Sequence, residues 1–223
     1  MPTAQRAAAD SYQPSSPNVY LIRHPLIQQK LTIARDRATG VEQFRRLVGE
    51  IARLMVFELS RDFPVIDVTV HTPLAACQGQ RVAIEITLIP ILRAGLGLAD
   101  GILELIPEAR VGHLGIYRDE HTLEPVTYYS KLPPNIAATD VIVLDPMLAT
   151  GGSVNAALTV IKQTGARRIR LLCLVAAPEG IAAVTSAHPD VSIYTAAVDD
   201  ALDERGYIRP GLGDAGDRLF GTQ

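Results

Sequence analysis

Asp145 closes an aliphatic run, Val141-Ile142-Val143-Leu144, and is followed by Pro146-Met147-Leu148-Ala149 and then Thr150-Gly151-Gly152-Ser153. Residue types in that order build an anion cradle beside a carboxylate. Backbone N–H groups of a glycine loop and of the helix start after it converge on a phosphate, and the helix dipole favours negative charge there. A carboxylate at the strand's end suits sugar hydroxyls or a metal. Together they suggest a phosphorylated sugar, although a Gly-Gly turn after a strand also occurs in many α/β proteins with no ligand. No Gly-Lys-Ser/Thr follows, so this is not the nucleotide P-loop, and the Gly-x-Gly-x-x-Gly spacing of dinucleotide sites is missing.

Three more segments carry usable chemistry. In Pro90-Ile91-Leu92-Arg93-Ala94-Gly95-Leu96-Gly97 an arginine leaves an aliphatic run and enters a glycine-rich turn. Its guanidinium is a permanent cation matched to phosphate oxygens; a surface arginine beside an ordinary turn has the same residues. Tyr117-Arg118-Asp119-Glu120 reads either as a loop arginine that closes over a polyanion or as a solvated hairpin tip. Gly206 to Asp217 holds four glycines besides Pro210 within Gly206-Tyr207-Ile208-Arg209-Pro210-Gly211-Leu212-Gly213-Asp214-Ala215-Gly216-Asp217. Such an irregular backbone can present N–H and C=O groups to the edge of a planar ligand; Asp214 fits equally well as the cap of a last short helix.

The elements that must position these residues alternate between two periods. Phe44, Leu47, Val48, Ile51, Leu54, Met55 and Leu59 recur at helical spacing, and Pro25 suits a helix's first turn. Leu98, Ile102 and Leu105 predict a helix after Arg93, and Val154, Ala157, Leu158 and Ile161 another after Ser153, with Gly165 as its C-terminal cap. Aliphatic runs at Ile86–Leu92, Val141–Leu144 and Ile169–Val175 read as buried parallel strands. Shorter strands are expected near Asn18–Arg23, up to Arg118, at Val126–Lys131 and at Val191–Thr195, with a short helix near Ile181–Val184. Residues 65 to 83, which include Pro73, predict edge strands or a hairpin. Strands alternating with helices imply an α/β fold: a mostly parallel twisted sheet flanked by helices, binding ligands at the carboxyl ends of its strands. A flexible tail is expected over residues 1–17 and a single domain over 18–223.

Bulk properties restrict the class. The 223 residues are 48% hydrophobic and 20% charged with a net charge of −3, which advertises no nucleic-acid surface. Cys77 and Cys173 are too far apart for a metal motif or a disulfide framework. No apolar signal core or bilayer-length run is visible, so a cytoplasmic protein without membrane partners is the expectation.

Taken together, Pro90–Gly97, Tyr117–Pro125, Asp145–Ser153, Leu174–Ile181 and Gly206–Thr222 resemble the uracil phosphoribosyltransferases, over a stretch running from about Val19 to the C-terminus. The resemblance implies the type I phosphoribosyltransferase fold with a protruding β-hairpin and a small C-terminal hood. It implies that uracil and 5-phosphoribosyl 1-pyrophosphate (PRPP) give UMP and pyrophosphate, with Mg²⁺ accompanying PRPP. PRPP binding falls on Arg93, Arg118, Asp145, Pro146, Met147, Leu148, Ala149, Thr150, Gly151, Gly152, Ser153 and Asp214. Within that set Ala149 to Ser153 would wrap the 5-phosphate, Asp145 the ribose hydroxyls, and the two arginines the pyrophosphate. Ile208, Gly213, Asp214 and Ala215 would meet uracil, largely through main chain. Arg93, Arg118 and Asp214 carry the catalytic expectation. Because Pro146 replaces the second acidic residue that most phosphoribosyltransferases have after Asp145, no direct protein ligand to Mg²⁺ is expected. Arg209 stands where some relatives carry an aliphatic residue. Relatives also suggest a homodimer or larger homo-oligomer, with contacts from the hairpin after Arg118 and the N-terminal helices, and GTP as an effector in some members, with Lys30 and Arg35 near that region. A regulator of the same fold that senses PRPP or UMP and binds RNA is the alternative; the acidic balance speaks against it.

Overall fold

The computed structural model describes residues 12–16, 18–118 and 125–222. Among the described residues the first elements are β1 (Tyr12–Ser16) and β2 (Val19–Ile22), then α1 (Pro25–Arg35) and α2 (Val41–Leu59). Strands β3 (Val65–His71) and β4 (Ala76–Val82) form a separate antiparallel hairpin whose turn contains Pro73. Next come β5 (Ile86–Leu92), α3 (Leu96–Leu103), β6 (Arg110–Val111), β7 (His113–Arg118) and β8 (Pro125–Lys131). Then follow β9 (Asp140–Leu144), β10 (Met147–Leu148), α4 (Gly152–Gln163), β11 (Arg168–Ala176), α5 (Pro178–Ala187) and β12 (Ser192–Val198). The short ladder β13 (Ala201–Leu202) with β14 (Ile208–Arg209) and the helix α6 (Ala215–Phe220) close the chain.

The main sheet runs β1-β2-β12-β11-β9-β5-β7-β8. From β2 to β7 every neighbour is parallel, and the outermost pairs are antiparallel. Alternation along each strand splits the core in two. Leu88, Ile142, Leu144, Leu172 and Leu174 pack under α1, α2 and α3. Ile89, Val141, Val143, Leu171 and Cys173 pack under α4 and α5. After β5 the chain moves outward to β7, then returns to the other side of β5 to lay down β9, β11 and β12. Connections therefore diverge between β5 and β9, and a crevice opens at their carboxyl ends.

Sequence expectations hold for the buried strands, for Pro25 at the start of α1 and for Gly165, whose φ of 87° closes α4. Two local readings are corrected. Leu105 is exposed, because α3 ends at Leu103 just ahead of Pro107, which cannot continue a helix. Within the segment read as a tail, residues 12–16 pair as an edge strand, where Pro14 is tolerated for lack of a further neighbour. The call of a flexible tail otherwise falls on residues 1–11 and 17, which lie outside the described residues. Among the described residues no helix is long and apolar enough to cross a membrane.

Helices α2 and α3 touch backbone to backbone at Gly49 and Gly101. A Cβ on Gly101 would lie 2.3 Å from the Gly49 carbonyl oxygen and 2.7 Å from its Cα. Gly101→Ala should therefore cost about 1–3 kcal/mol, read as a lower urea midpoint. Gly79→Ala is the control, since its nearest new neighbour would be at an ordinary 3.9 Å. Equal midpoints for the two variants would show that the helices separate freely.

Candidate functional site

The crevice between β5 and β9 is floored by a turn that only glycine permits. Gly95 donates its N–H to the Ile91 carbonyl at 2.9 Å, folding Leu92-Arg93-Ala94 back over the strand ends. A Cβ on Gly95 would stand 2.4 Å from the Leu144 carbonyl oxygen. Arg93 leaves this turn with 54% of its side chain exposed. Its Nη2 donates to Asp217 Oδ1 at 3.1 Å and its Nη1 to Thr222 Oγ1 at 3.2 Å, with the Phe220 ring 6.0 Å away.

On the other side, Asp145 continues β9. Its backbone N–H reaches the Leu172 carbonyl at 3.2 Å, and the Pro146 carbonyl accepts from the Leu174 and Val175 amides at 3.0 and 3.1 Å. The carboxylate accepts the Met147 N–H at 3.2 Å. Burial pushes this carboxyl up to about 7, against the lowering effect of that one N–H. Behind it, burial raises the Cys173 thiol to about 12, so it is an inert core thiol.

The loop then turns through Gly151, at φ 82°, into α4. Close contact with α5 shapes it: a Cβ on Gly180 would lie 2.3 Å from the Ala149 carbonyl oxygen. The N-cap of α4 makes no side-chain hydrogen bond, and its first turn carries no acid. The first amides of α4 therefore face an open cleft of about 80 Å³, lined by Asp145 and Met147 through Val154. Gly152 N–H donates to Thr150 Oγ1 at a long 3.4 Å, and the helix dipole and first-turn N–H groups together favour an anion there.

A second cleft of about 240 Å³ lies beside it, lined by Ala94, Asp145, Met147, Ala149, Gly206, Tyr207, Ile208, Gly213, Asp214, Ala215 and Gly216. Asp145, Met147 and Ala149 are walls of both clefts. The loop forming this second cleft is tied to the sheet by a buried knot. Asp199, just past β12, accepts from Arg35 Nη1 and Nη2 at 2.8 and 2.6 Å and from the Gly211 N–H at 2.8 Å, while Arg35 also donates to the Gly211 carbonyl at 2.7 Å. Gly211 has φ 63°, and a Cβ there would sit 2.2 Å from the Ile208 carbonyl oxygen, so the turn requires glycine. Asp203 shapes the tip by accepting the Arg205 and Tyr207 amides at 3.0 and 2.9 Å.

The residues singled out in the sequence fall into three groups. Asp145, Met147, Leu148, Ala149, Thr150, Gly151, Gly152 and Ser153 line the first cleft, and Ile208, Gly213, Asp214 and Ala215 line the second. Arg93 stands at the rim beside Gly216. Pro146 is buried beneath the loop and lines neither cleft. The Arg118 backbone ends β7 opposite Pro125; its side chain and Asp119 and Glu120 lie outside the described residues. Asp214 meets both of its readings, since its Oδ1 accepts the Asp217 N–H at 2.9 Å and caps α6 while it lines the cleft. The Arg209 side chain is directed at Asp203, 3.5 Å away, and at solvent. Lys30 and Arg35 are engaged inside the chain, with Glu50 and Asp199. Ala94, Gly206, Tyr207, Gly216 and Val154 complete the clefts without an individual role read from the sequence; the first four lie inside segments singled out there, and Val154 follows Ser153.

Comparison with known proteins gives the family and the fold. Residues 21–222 match the family described as Uracil phosphoribosyltransferase. The chain is 61% identical over 206 residues to the uracil phosphoribosyltransferase of Symbiobacterium thermophilum, covering 92% of this chain and 99% of that one. Identity to the Brevibacillus brevis uracil phosphoribosyltransferase is 56% with the same coverage. Among solved structures, the AQ2163 protein from Aquifex aeolicus superposes with a TM-score of 0.88 at 38% identity, over 92% of this chain and 99% of that one. The Trypanosoma brucei adenine phosphoribosyl transferase, solved with AMP, pyrophosphate and ribose-5-phosphate, shares the fold at a TM-score of 0.59 and 11% identity, over 88% and 90%.

Asp145 gives stability a pH dependence. Unfolded, its carboxyl titrates near the ordinary value of about 4; folded, it titrates at about 7. Between those values the native state holds a proton that the unfolded chain has lost. The contribution is therefore full below about pH 4 and disappears as pH rises through about 7. Asp145→Asn, which cannot titrate, should gain stability relative to the parent from about pH 5 to about pH 8, by on the order of 1–3 kcal/mol in urea denaturation. An identical difference at both pH values would mean that the carboxyl is ordinary.

Proposed function

The chain belongs to the uracil phosphoribosyltransferase family, and we propose that its two adjoining clefts hold PRPP and uracil on either side of one reacting carbon. The reaction is uracil plus PRPP giving UMP plus pyrophosphate. What carries the assignment of the two halves is their common wall of Asp145, Met147 and Ala149. A ribose lying against that wall has its 5-phosphate at the α4 amides and its anomeric carbon facing the second cleft. Asp145 accepts from the ribose hydroxyls, which supply the hydrogen bonds that its desolvated carboxylate lacks.

Uracil enters between Tyr207, Ile208 and the Gly213–Ala215 turn. Ile208 and Ala215 are each 4% exposed as whole residues and both line the second cleft; in this reading they meet the base through main-chain groups. A fixed pattern of main-chain donors and acceptors suits uracil's O4 and N3–H; cytosine presents the reverse and leaves buried groups unpaired. Asp214 sits between the base and PRPP.

As the anomeric C–O bond breaks, positive charge develops on the ribose and negative charge on the departing pyrophosphate. The chain's contribution is to hold the reactants in line and to stabilise that charge. Arg93 and Arg118 do so at the pyrophosphate, and the C–N bond to uracil N1 forms from the second cleft as the N1–H bond breaks and its proton passes to solvent or to the released pyrophosphate. Mg²⁺ belongs to this scheme as a companion of PRPP. Among the described residues no group of three or more potential ligands is assembled, and Asp145 stands alone at its strand end, so these residues do not fit a protein-held ion. The hard cation is matched by phosphate oxygens and water.

A cytoplasmic homodimer or larger assembly goes with this reading. Val65, Ile66, Val70, Leu74 and Val82 are exposed on the β3–β4 hairpin, an apolar surface that favours association. Activation by GTP is a further family expectation. With Arg35 locked to Asp199, a GTP site would have to draw on other cations.

Incubation with PRPP, Mg²⁺ and each nucleobase should release pyrophosphate with uracil; release with a purine and not with uracil would sink the assignment. Arg93→Ala should lower kcat by about 100-fold or more. The fold should be preserved, because a half-exposed ion pair contributes about 1 kcal/mol or less. Activity within about twofold of the parent would remove Arg93 from the mechanism.

A further inference from the structure

We propose that Asp217, on the far side of Arg93 from the clefts, is a positioning residue that aims the Arg93 guanidinium at the leaving pyrophosphate. The inference rests on the assignment of Arg93 to pyrophosphate made above. Asp217 lines neither cleft, yet its carboxylate and its N–H are both bonded to groups of the site. Its carboxylate accepts the Thr222 hydroxyl at 2.7 Å and Arg93 Nη2 at 3.1 Å. Its backbone N–H is the donor that Asp214 caps at 2.9 Å. Through one residue, the arginine at the rim and the aspartate of the second cleft are held in register.

Geometry favours aiming over competition. Arg93 offers five N–H donors in a rigid fork. Asp217 takes one of them, singly, and Thr222 another at 3.2 Å, so the arginine is not spent on a bidentate pair and keeps an exposed edge for phosphate oxygens. Asp217 itself is fixed from behind. The Thr222 hydroxyl first, and Arg93 after it, hold its carboxyl below the ordinary carboxylate range, and the Gly221 amide donates to its own carbonyl at 2.7 Å. Gly221, at φ 67°, supplies the reversal that brings Thr222 back onto the carboxylate. A long side chain that is half exposed loses much rotamer freedom on gripping an anion, and an anchor that has already restricted it lowers that cost.

Removing the Asp217 side chain leaves its N–H, and therefore the Asp214 cap, in place. Asp217→Ala should weaken product inhibition by pyrophosphate about tenfold and raise KM for PRPP in step. Inhibition by UMP and KM for uracil should stay within about twofold. Thr222→Val should act in the same direction to a smaller extent, and Asp217→Asn, which still accepts from Thr222 and Arg93, should restore most of the pyrophosphate affinity. In the Arg93→Ala background, Asp217→Ala should add nothing further. Tighter pyrophosphate binding in Asp217→Ala, equal losses for pyrophosphate and UMP, or a full additional loss in the double variant would each overturn the proposal. A wild-type-like Arg93→Ala removes the premise and the proposal with it. A severe Arg93→Ala beside a wild-type-like Asp217→Ala removes the proposal alone.

Discussion

The Leu144 carbonyl occupies the place that a side chain on residue 95 would need, 2.4 Å from the hypothetical Cβ. That contact presses the Arg93–Ala94 turn onto the end of β9 at the point where the strand connections diverge. Everything reactive is measured from it. Arg93 stands on one side, Asp145 follows Leu144 on the other, and Ala94 forms a wall of the second cleft. A bulkier residue at 95 would have to lift the turn off the strand, moving the arginine away from the carboxylate by the width of a side chain. The parallel register of β5 with β9, Leu88 opposite Ile142 and Pro90 opposite Leu144, brings the two strand ends level so that this contact can form.

Electrostatics then divide the site. Asp145 is a desolvated carboxylate that accepts one backbone amide, next to the uncapped, acid-free start of α4. Each keeps hydrogen-bonding capacity beyond the partners it has, since a carboxylate can accept several bonds and a helix start presents several N–H groups. Hydroxyls beside the carboxylate and an anion at the helix start would satisfy both at once, and a sugar phosphate carries that pair of groups at fixed separation. The same reasoning accounts for the absence of a second acid after Asp145. Pro146 gives its carbonyl to two amides of β11 and binds the loop to the sheet, where another carboxylate would demand a cation.

Legibility from the sequence follows the range of the forces involved. Buried strands such as Val141–Leu144 and Ile86–Leu92 announce themselves because every residue in them is apolar, and β-branched or aliphatic runs of that length are costly anywhere but in a covered sheet. The Asp145–Ser153 loop is legible because its glycines, hydroxyls and carboxylate are contiguous. The Arg35–Asp199–Gly211 knot is not, since its members are 164 and 12 residues apart and each is an ordinary surface type when read alone. Leu105 was read onto a helix face because its spacing fits, and Pro107 stops the helix before that spacing applies. Pairing of residues 12–16 with β2 depends on an open sheet edge, which no local pattern in a Gln- and Ser-containing segment reveals.

Long-range arginines explain why so glycine-rich a C-terminal segment holds a shape at all. Arg35 grips Gly211, Arg218 donates to the Leu212 and Asp36 carbonyls at 2.8 Å each and lies 4.1 Å from the Phe44 ring, and Arg45 takes the Leu219 carbonyl at 2.8 and 3.1 Å. Each of these guanidinium groups binds carbonyls, the groups that a looping backbone cannot pair with itself. The consequence is a loop fixed at its roots in α1 and α2 and open at its tip, where Gly206, Tyr207 and Gly213 face the cleft. Under the proposed reading, fixed roots would let the main chain at Ile208 and Gly213 present one hydrogen-bonding pattern to a flat base. A glycine-rich tip lets the backbone approach that base more closely than side chains would. Under that reading, selectivity among bases would be built from helices that lie outside both clefts and distributed over residues that no single motif contains.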